Sequence, residues 1–135
     1  MIVDSSAVVA VVFKEPGWEE VFEILQAAPG AGIATPTLTE TGIVLTARLG
    51  RPALPVVQRL IHELDLEIVP FGERHWQAAV EAYERFGKGR HRAALNFGDC
   101  MAYATAHLAG EPLLFVGDDF TLTDIQVARL DQPRK

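Results

Sequence analysis

A chain of 135 residues, 49% of them hydrophobic, can bury one useful core and needs no covalent staple to explain its stability. A net charge of −6 argues against nucleic-acid binding through a general positive field, but not against a carboxylate site that holds a divalent cation and meets phosphate locally. The lone Cys100 excludes an internal disulfide and fits a reducing, cytoplasmic setting. The opening Met1-Ile2-Val3-Asp4 has no basic leader region, and the longest apolar run, Ala7 to Phe13, is too short to cross a membrane.

Ile2-Val3-Asp4 reads as a short buried strand that ends at an acid. The run Ala7 to Phe13 has strand-like β-branched residues, but Ser5 or Ser6 can cap a helix and Pro16-Gly17 closes the segment, so a helix is predicted. Trp18 to Ala28 is a second helix, with Val21, Phe22 and Leu25 at helical spacing and Pro29-Gly30 as its stop. Gly32-Ile33-Ala34-Thr35 is the next strand. Thr35-Pro36 then starts a helix with Thr at the cap, Leu38, Leu45 and Leu49 as its stripe and Gly50 as its end.

Pro52 to Leu64 is a further helix, with Leu60, Ile61 and Leu64 on one face, and Leu66 to Val69 is a third strand. Glu73 to Phe86 is helical through Trp76, Val80 and Tyr83; Trp76, with Trp18 and Phe22, is expected in the core. Gly87 to Leu95 is a basic loop, Gly98 to Leu108 a helix closed by Gly110, and Leu113 to Val116 a fourth strand before the turn Gly117-Asp118-Asp119. No repeat, low-complexity tract or linker interrupts residues 1–135, which implies a single domain.

Short apolar strands alternating with helices define an α/β fold: a short parallel sheet covered by helices on both faces. Ligands of such sheets bind beyond the carboxyl ends of the strands. Asp4 and the Asp118-Asp119 pair fall at strand ends, and Glu40 and Asp99 lie in the first turns of helices that can begin on the same edge. Each acid also has a structural explanation. Asp4 suits a turn, Thr37-Leu38-Thr39-Glu40 matches a capping box, Asp99 complements a helix dipole, and Gly117-Asp118-Asp119 is ordinary turn composition.

Together the acids point further. Two carboxylates about 5 Å apart repel by roughly 3 kcal/mol at an effective dielectric of about 20, so a cluster calls for a cation. Oxygen-only ligation selects a hard ion such as Mg²⁺, or Mn²⁺, which lowers the pKa of bound water and neutralises a phosphate in transit.

Three ordered motifs resemble the PIN domain: Met1-Ile2-Val3-Asp4-Ser5-Ser6-Ala7, the segment Leu95-Asn96-Phe97-Gly98-Asp99-Cys100-Met101-Ala102-Tyr103-Ala104, and Leu113 to Phe120 with Thr123-Asp124. With the basic loop, they resemble VapC, the toxin of type II toxin–antitoxin pairs, over nearly the whole chain. The resemblance implies a three-layer α/β/α domain and an Mg²⁺-dependent endoribonuclease. It implies in-line attack on an RNA phosphodiester by a metal-activated water, leaving a 5′-phosphate and a 3′-hydroxyl.

By that resemblance Asp4, Glu40 and Asp99 are the core catalytic and metal-binding acids, and Ser6 supports the first of them. The late acid falls on either Asp118 or Asp119: Asp119 is favoured as the catalytic member, while Asp118 stays open as the metal ligand. A VapB-like antitoxin and a second copy of the chain are the implied protein partners, the former through an apolar groove on the early helices.

Lys88-Gly89-Arg90-His91-Arg92 is the one concentrated positive segment. It suits either a solvated loop or contact of Lys88, Arg90 and Arg92 with RNA phosphates. The four histidines show no metal-ligand spacing, and Cys100 has no histidine partner for nucleophilic work. A haloacid-dehalogenase-like phosphatase would need a second Asp where Ser6 stands, and a non-catalytic PIN-like binding module would lack one of the mapped acids. No P-loop or dinucleotide glycine fingerprint is present.

Overall fold

The apolar runs pair in one parallel sheet because helices separate each from the next and carry the chain back across it. A computed structural model describes residues 1–130. In chain order the elements are β1 (Ile2–Val3), α1 (Ser5–Phe13), α2 (Trp18–Ala27), β2 (Gly32–Ala34), α3 (Thr35–Leu49), α4 (Leu54–Glu63), β3 (Glu67–Val69), α5 (Glu73–Phe86), α6 (Phe97–Ala109) and β4 (Leu113–Leu114), then a 3-10 turn at Asp119–Leu122. The strand order is β3-β2-β1-β4, with Ile2 in register with both Gly32 and Leu113.

Side chains alternate across a strand, and the core divides accordingly. Ile2 and Leu113 enter the cluster with α5 and α6, whereas Val3 and Leu114 enter the cluster with α1 and α2. A smaller cluster of Val9, Leu45, Ala53 and Val57 joins α1, α3 and α4. The result is three layers, α/β/α. On the α5–α6 side, Ala78, Ala79 and Ala82 of α5 share one core cluster with Ala102, Ala104 and Ala106 of α6, and small residues allow close helix approach.

The strand order locates the ligand crevice. From β1 the chain steps to β2 and β3 on one side, then passes back to place β4 on the other side of β1. The topological switch therefore lies between β1 and β4, and the crevice opens past Val3 and Leu114.

Several local expectations are corrected. Asp4, not a serine, is the N-cap of α1: its carboxylate accepts from Ser6 N–H at 3.1 Å. The short, charge-accepting side chain satisfies an orphan N–H as a serine would. α3 follows β2 with no loop and has Ala34 at its cap, so Thr35 lies inside the helix and the capping box expected at Thr37–Glu40 does not form. α4 begins at Leu54 rather than Pro52.

The stripe read on α5 faces the wrong way. Trp76, Val80 and Tyr83 are 53%, 50% and 44% exposed, and Ala78, Ala79, Ala82 and Phe86 face the core instead. A helix that packs against an alanine-rich neighbour gains more from close contact than from bulk. β4 is shorter than read, and an unforeseen bridge pairs Leu113 with Val127, so the end of the described chain lies along the outer side of β4.

Candidate active site

Asp4 leaves β1 at the crevice and is 3% exposed. Its Oδ2 accepts from Ser6 Oγ at 2.6 Å as well as from Ser6 N–H. Ser6 Oγ in turn accepts from Val116 N–H at 3.0 Å, so one hydroxyl spans the switch point between the ends of β1 and β4. The other oxygen, Oδ1, is buried without a hydrogen-bond partner. Burial first, and then the charge of Glu40, raise the Asp4 carboxyl above the ordinary range against the lowering effect of the Ser6 bonds.

Glu40 projects from α3 toward the same place, and its Oε1 accepts from Ser5 Oγ at 2.7 Å. Asp99 sits at the third position of α6. Its backbone N–H donates to Asn96 Oδ1 at 2.9 Å, and its Oδ2 accepts from Asn96 N–H at 3.0 Å. This reciprocal box fixes the helix start and orients the acid. Burial pushes the Asp99 carboxyl up to about 6, and the charges of Asp4, Asp119 and Glu40 add to the shift.

The charges of Asp4, Glu40 and Asp119 thus all bear on Asp99, and that of Glu40 bears on Asp4. Asp118 and Asp119 are both exposed at the head of the 3-10 turn, where the Asp118 carbonyl accepts from Thr121. The turn behind Asp119 is anchored twice. Phe120 is buried against Phe115, and the Asp124 carboxylate accepts from Tyr103 Oη and, at 3.1 Å, from Arg85. Although burial alone would raise Asp124, those two donors and the guanidinium charge bring its carboxyl below the ordinary value.

Among the described residues, no group of three His, Cys, Asp or Glu side chains is closed tightly enough to hold a metal as it stands. Uncompensated carboxylates repel, and here each of the three core acids already has an oxygen engaged by Ser5, Ser6 or Asn96. The donor set still fits a hard cation. All four groups are carboxylates, and the buried, unpartnered Asp4 Oδ1 would incur a desolvation cost that a cation relieves.

The basic loop leads into this edge. Arg90 Nε donates to the Glu84 carbonyl at 3.1 Å, and His91 Nδ1 accepts from Ala93 N–H at 3.0 Å while its ring meets Phe86 edge-on, so His91 braces the loop from within. Lys88 and Arg92 are exposed and enter no ion pair among the described residues. Cys100, next to Asp99, is buried, and burial with the Asp99 charge pushes its thiol up to about 11, the reverse of nucleophile activation.

The structure adds Ser5, Asn96 and Gly98 to the residues around the acids. The Asn96-x-x-Asp99 spacing could have revealed the capping box. No local pattern could have joined Ser5 or Gly98 to Glu40, because those contacts are long-range.

A parallel sheet of this order, with acids converging past β1 and β4, defines the PIN-domain class, and the chain belongs to that family: its profile matches residues 1–126. Within it, the chain falls among the VapC ribonucleases, being 50% identical over 127 residues to Ribonuclease VapC36 of Mycobacterium tuberculosis, an alignment that covers 93% of this chain and 91% of that one. Among solved structures it is similar to the Mycobacterium tuberculosis VapC20 toxin, described as cleaving the sarcin-ricin loop, with a TM-score of 0.76 at 18% identity over 95% of this chain and 98% of that one. It is also similar to a chain of a toxin–antitoxin complex from Klebsiella pneumoniae, with a TM-score of 0.63 at 20% identity over 88% of each chain.

Proposed function

We propose that the chain is a metal-dependent endoribonuclease and the toxin member of a toxin–antitoxin pair. One observation carries the reading: the buried Asp4, with one carboxylate oxygen unpartnered, lies within the electrostatic reach of Glu40 and Asp99 at the switch point of a VapC-like sheet. Asp4, Glu40 and Asp99 would hold a Mg²⁺ or Mn²⁺ ion. Asp119, whose charge is among those that raise the Asp99 carboxyl, takes the part of the late acid in this reading, with Asp118 its neighbour in the same turn.

The bound ion would supply an activated water and neutralise charge on the scissile phosphate. The protein's own contribution is placement. Ser6 holds Asp4, Ser5 holds Glu40, and Asn96 holds Asp99, so three acids stay oriented with little freedom left to lose. Ser6 is bonded to an acid on one side and to backbone on the other, which suits a supporting hydroxyl and leaves the phosphatase alternative without its general acid.

The deciding experiment incubates purified protein with labelled single-stranded and structured RNAs, with Mg²⁺, Mn²⁺ or a chelator. Cleavage that depends on metal is expected. Binding without cleavage in every metal would favour the non-catalytic PIN-like module, and cleavage in chelator would remove the metal from the mechanism.

Lys88, Arg90 and Arg92 serve as phosphate contacts beside the acids. Neutralising Arg90 and Arg92 together is expected to reduce the slope of log affinity against log salt by roughly 1–2, since about one counterion is released per phosphate contact. Titration of labelled RNA binding at several salt concentrations checks this, and an unchanged slope rejects the role.

Two apolar surfaces support the protein partners. Ile43 and Leu54, 65% and 67% exposed, flank a groove between α3 and α4 of the kind that accepts an antitoxin helix. Trp76, Val80, Tyr83 and Phe97 form a second exposed face on α5 and α6, suited to a second copy of the chain. No helix among the described residues is long and apolar enough to cross a membrane.

A further inference from the structure

Gly98 occupies the first turn of α6, where the backbone is ordinary helix and needs no left-handed freedom. Glycine disfavours a helix relative to alanine, so its presence there calls for another cause. Space supplies one. A Cβ at position 98 would fall 2.6 Å from Glu40 Cδ and 2.7 Å from Oε1, and closer still to Oε2. The Glu40 carboxylate lies directly against the bare backbone of Gly98, one residue from Asp99. On its other side, Ser5 Oγ donates to Oε1 at 2.7 Å.

We infer that Gly98 is a positioning residue for Glu40: having no side chain, it lets the carboxylate lie on the first turn of α6 beside Asp99, with the Ser5 hydroxyl holding it there. This rests on the reading of Glu40 as a metal ligand. A methyl group at 98 forces Glu40 to rotate away, which breaks the Ser5 bond and withdraws the carboxylate from Asp4 and Asp99. The displaced atoms are the end of a flexible side chain rather than backbone, so the fold can absorb the change while the site cannot.

The test is a double-mutant cycle on the full chain, read by Mn²⁺ calorimetry without RNA and by thermal melting of the metal-free protein. Gly98→Ala is expected to weaken Mn²⁺ binding by about 10–100-fold, as for other groups that orient a ligand, with an unchanged or higher melting temperature. In a Glu40→Ala background the same substitution should leave Mn²⁺ binding where it was, because its whole effect runs through that carboxylate. Parent-like Mn²⁺ binding by Gly98→Ala, or an equal loss with and without the Glu40 carboxylate, overturns the inference. So does a fall in melting temperature in both backgrounds, which would assign Gly98 to packing. Failure of the parent itself to bind Mn²⁺ overturns the metal site and the inference with it.

Discussion

Asp99→Asn is expected to abolish RNA cleavage and, in the metal-free protein at neutral pH, to raise the melting temperature. The folded-state Asp99 carboxyl stands at about 6, above its ordinary 3.8. The folded chain therefore binds this proton more tightly than the unfolded chain does. The associated stability is fully present below 3.8 and is lost as pH rises through about 6.

At neutral pH the ionised carboxylate consequently weighs against folding, and an asparagine removes that penalty. Its Oδ1 can still accept from Asn96 N–H, so the start of α6 survives. A shift of this size corresponds to at most about 3 kcal/mol, and the partial exposure of Asp99 together with the lost favourable helix-dipole contact reduces the gain to about 1–2 kcal/mol. Melting curves at pH 7.5 should move up by about 3–8 °C. At pH 3.5, where parent and variant are both uncharged at 99, the difference should vanish. Saturating Mg²⁺ should stabilise the parent and leave the variant almost unmoved. A variant that melts at or below the parent at pH 7.5, or that still cleaves RNA, sinks this account.

Ser6→Ala is expected to damage both stability and activity, through two different bonds. The Val116 N–H loses its acceptor, which loosens the junction between β1 and β4, and Asp4 loses the shorter of its two hydrogen bonds from Ser6. The stability cost is about 0.5–1.5 kcal/mol, the usual net worth of a hydrogen bond, because Val116 is exposed and its N–H can turn to water.

The chemical effect has its own signature. The Ser6 bonds lower the Asp4 pKa against burial, so removing the side-chain bond raises it further. A site that needs the carboxylate then loses activity at higher pH, and the acid limb of the kcat/KM profile moves in the alkaline direction. At pH 7 a loss of about 10–100-fold is expected. Ser6→Thr keeps the hydroxyl and should restore the position of the limb. An acid limb that stays in place in Ser6→Ala would show that the bond does not tune Asp4.

The layer architecture and the strand-end positions of the acids were legible because both are periodic or local. Ile2-Val3, Gly32 to Ala34 and Leu113-Leu114 are apolar runs that helices must separate, and their carboxyl ends necessarily share one edge in a parallel sheet. What could not be read was the contest between local and distant partners. Thr37 to Glu40 carries a capping-box pattern, yet the helix starts earlier because β2 feeds directly into Thr35, and Glu40 is thereby released to meet Ser5. Trp76, Val80 and Tyr83 have helical spacing and bulk, yet a run of alanines on the opposite face fits α6 more closely. Asp118 and Asp119 are neighbours in an ordinary turn, and the contacts that seat this turn, Phe120 on Phe115 and Asp124 on Tyr103, are made with partners that no local pattern joins to it. Periodicity shows which face is apolar; it does not show which of two faces a neighbour will choose.

The central place of β1 has a bearing on synthesis. It pairs with a strand that begins 111 positions later, with flanking bonds from Ile2 N–H to the Pro112 carbonyl and from Asp4 N–H to the Leu114 carbonyl. Asp119 follows that strand, while Asp4 precedes every helix. A chain still emerging from the ribosome therefore carries Asp4 without the strand that will seat it until β4 has been made. No amino-terminal fragment that stops short of β4 can assemble the cluster.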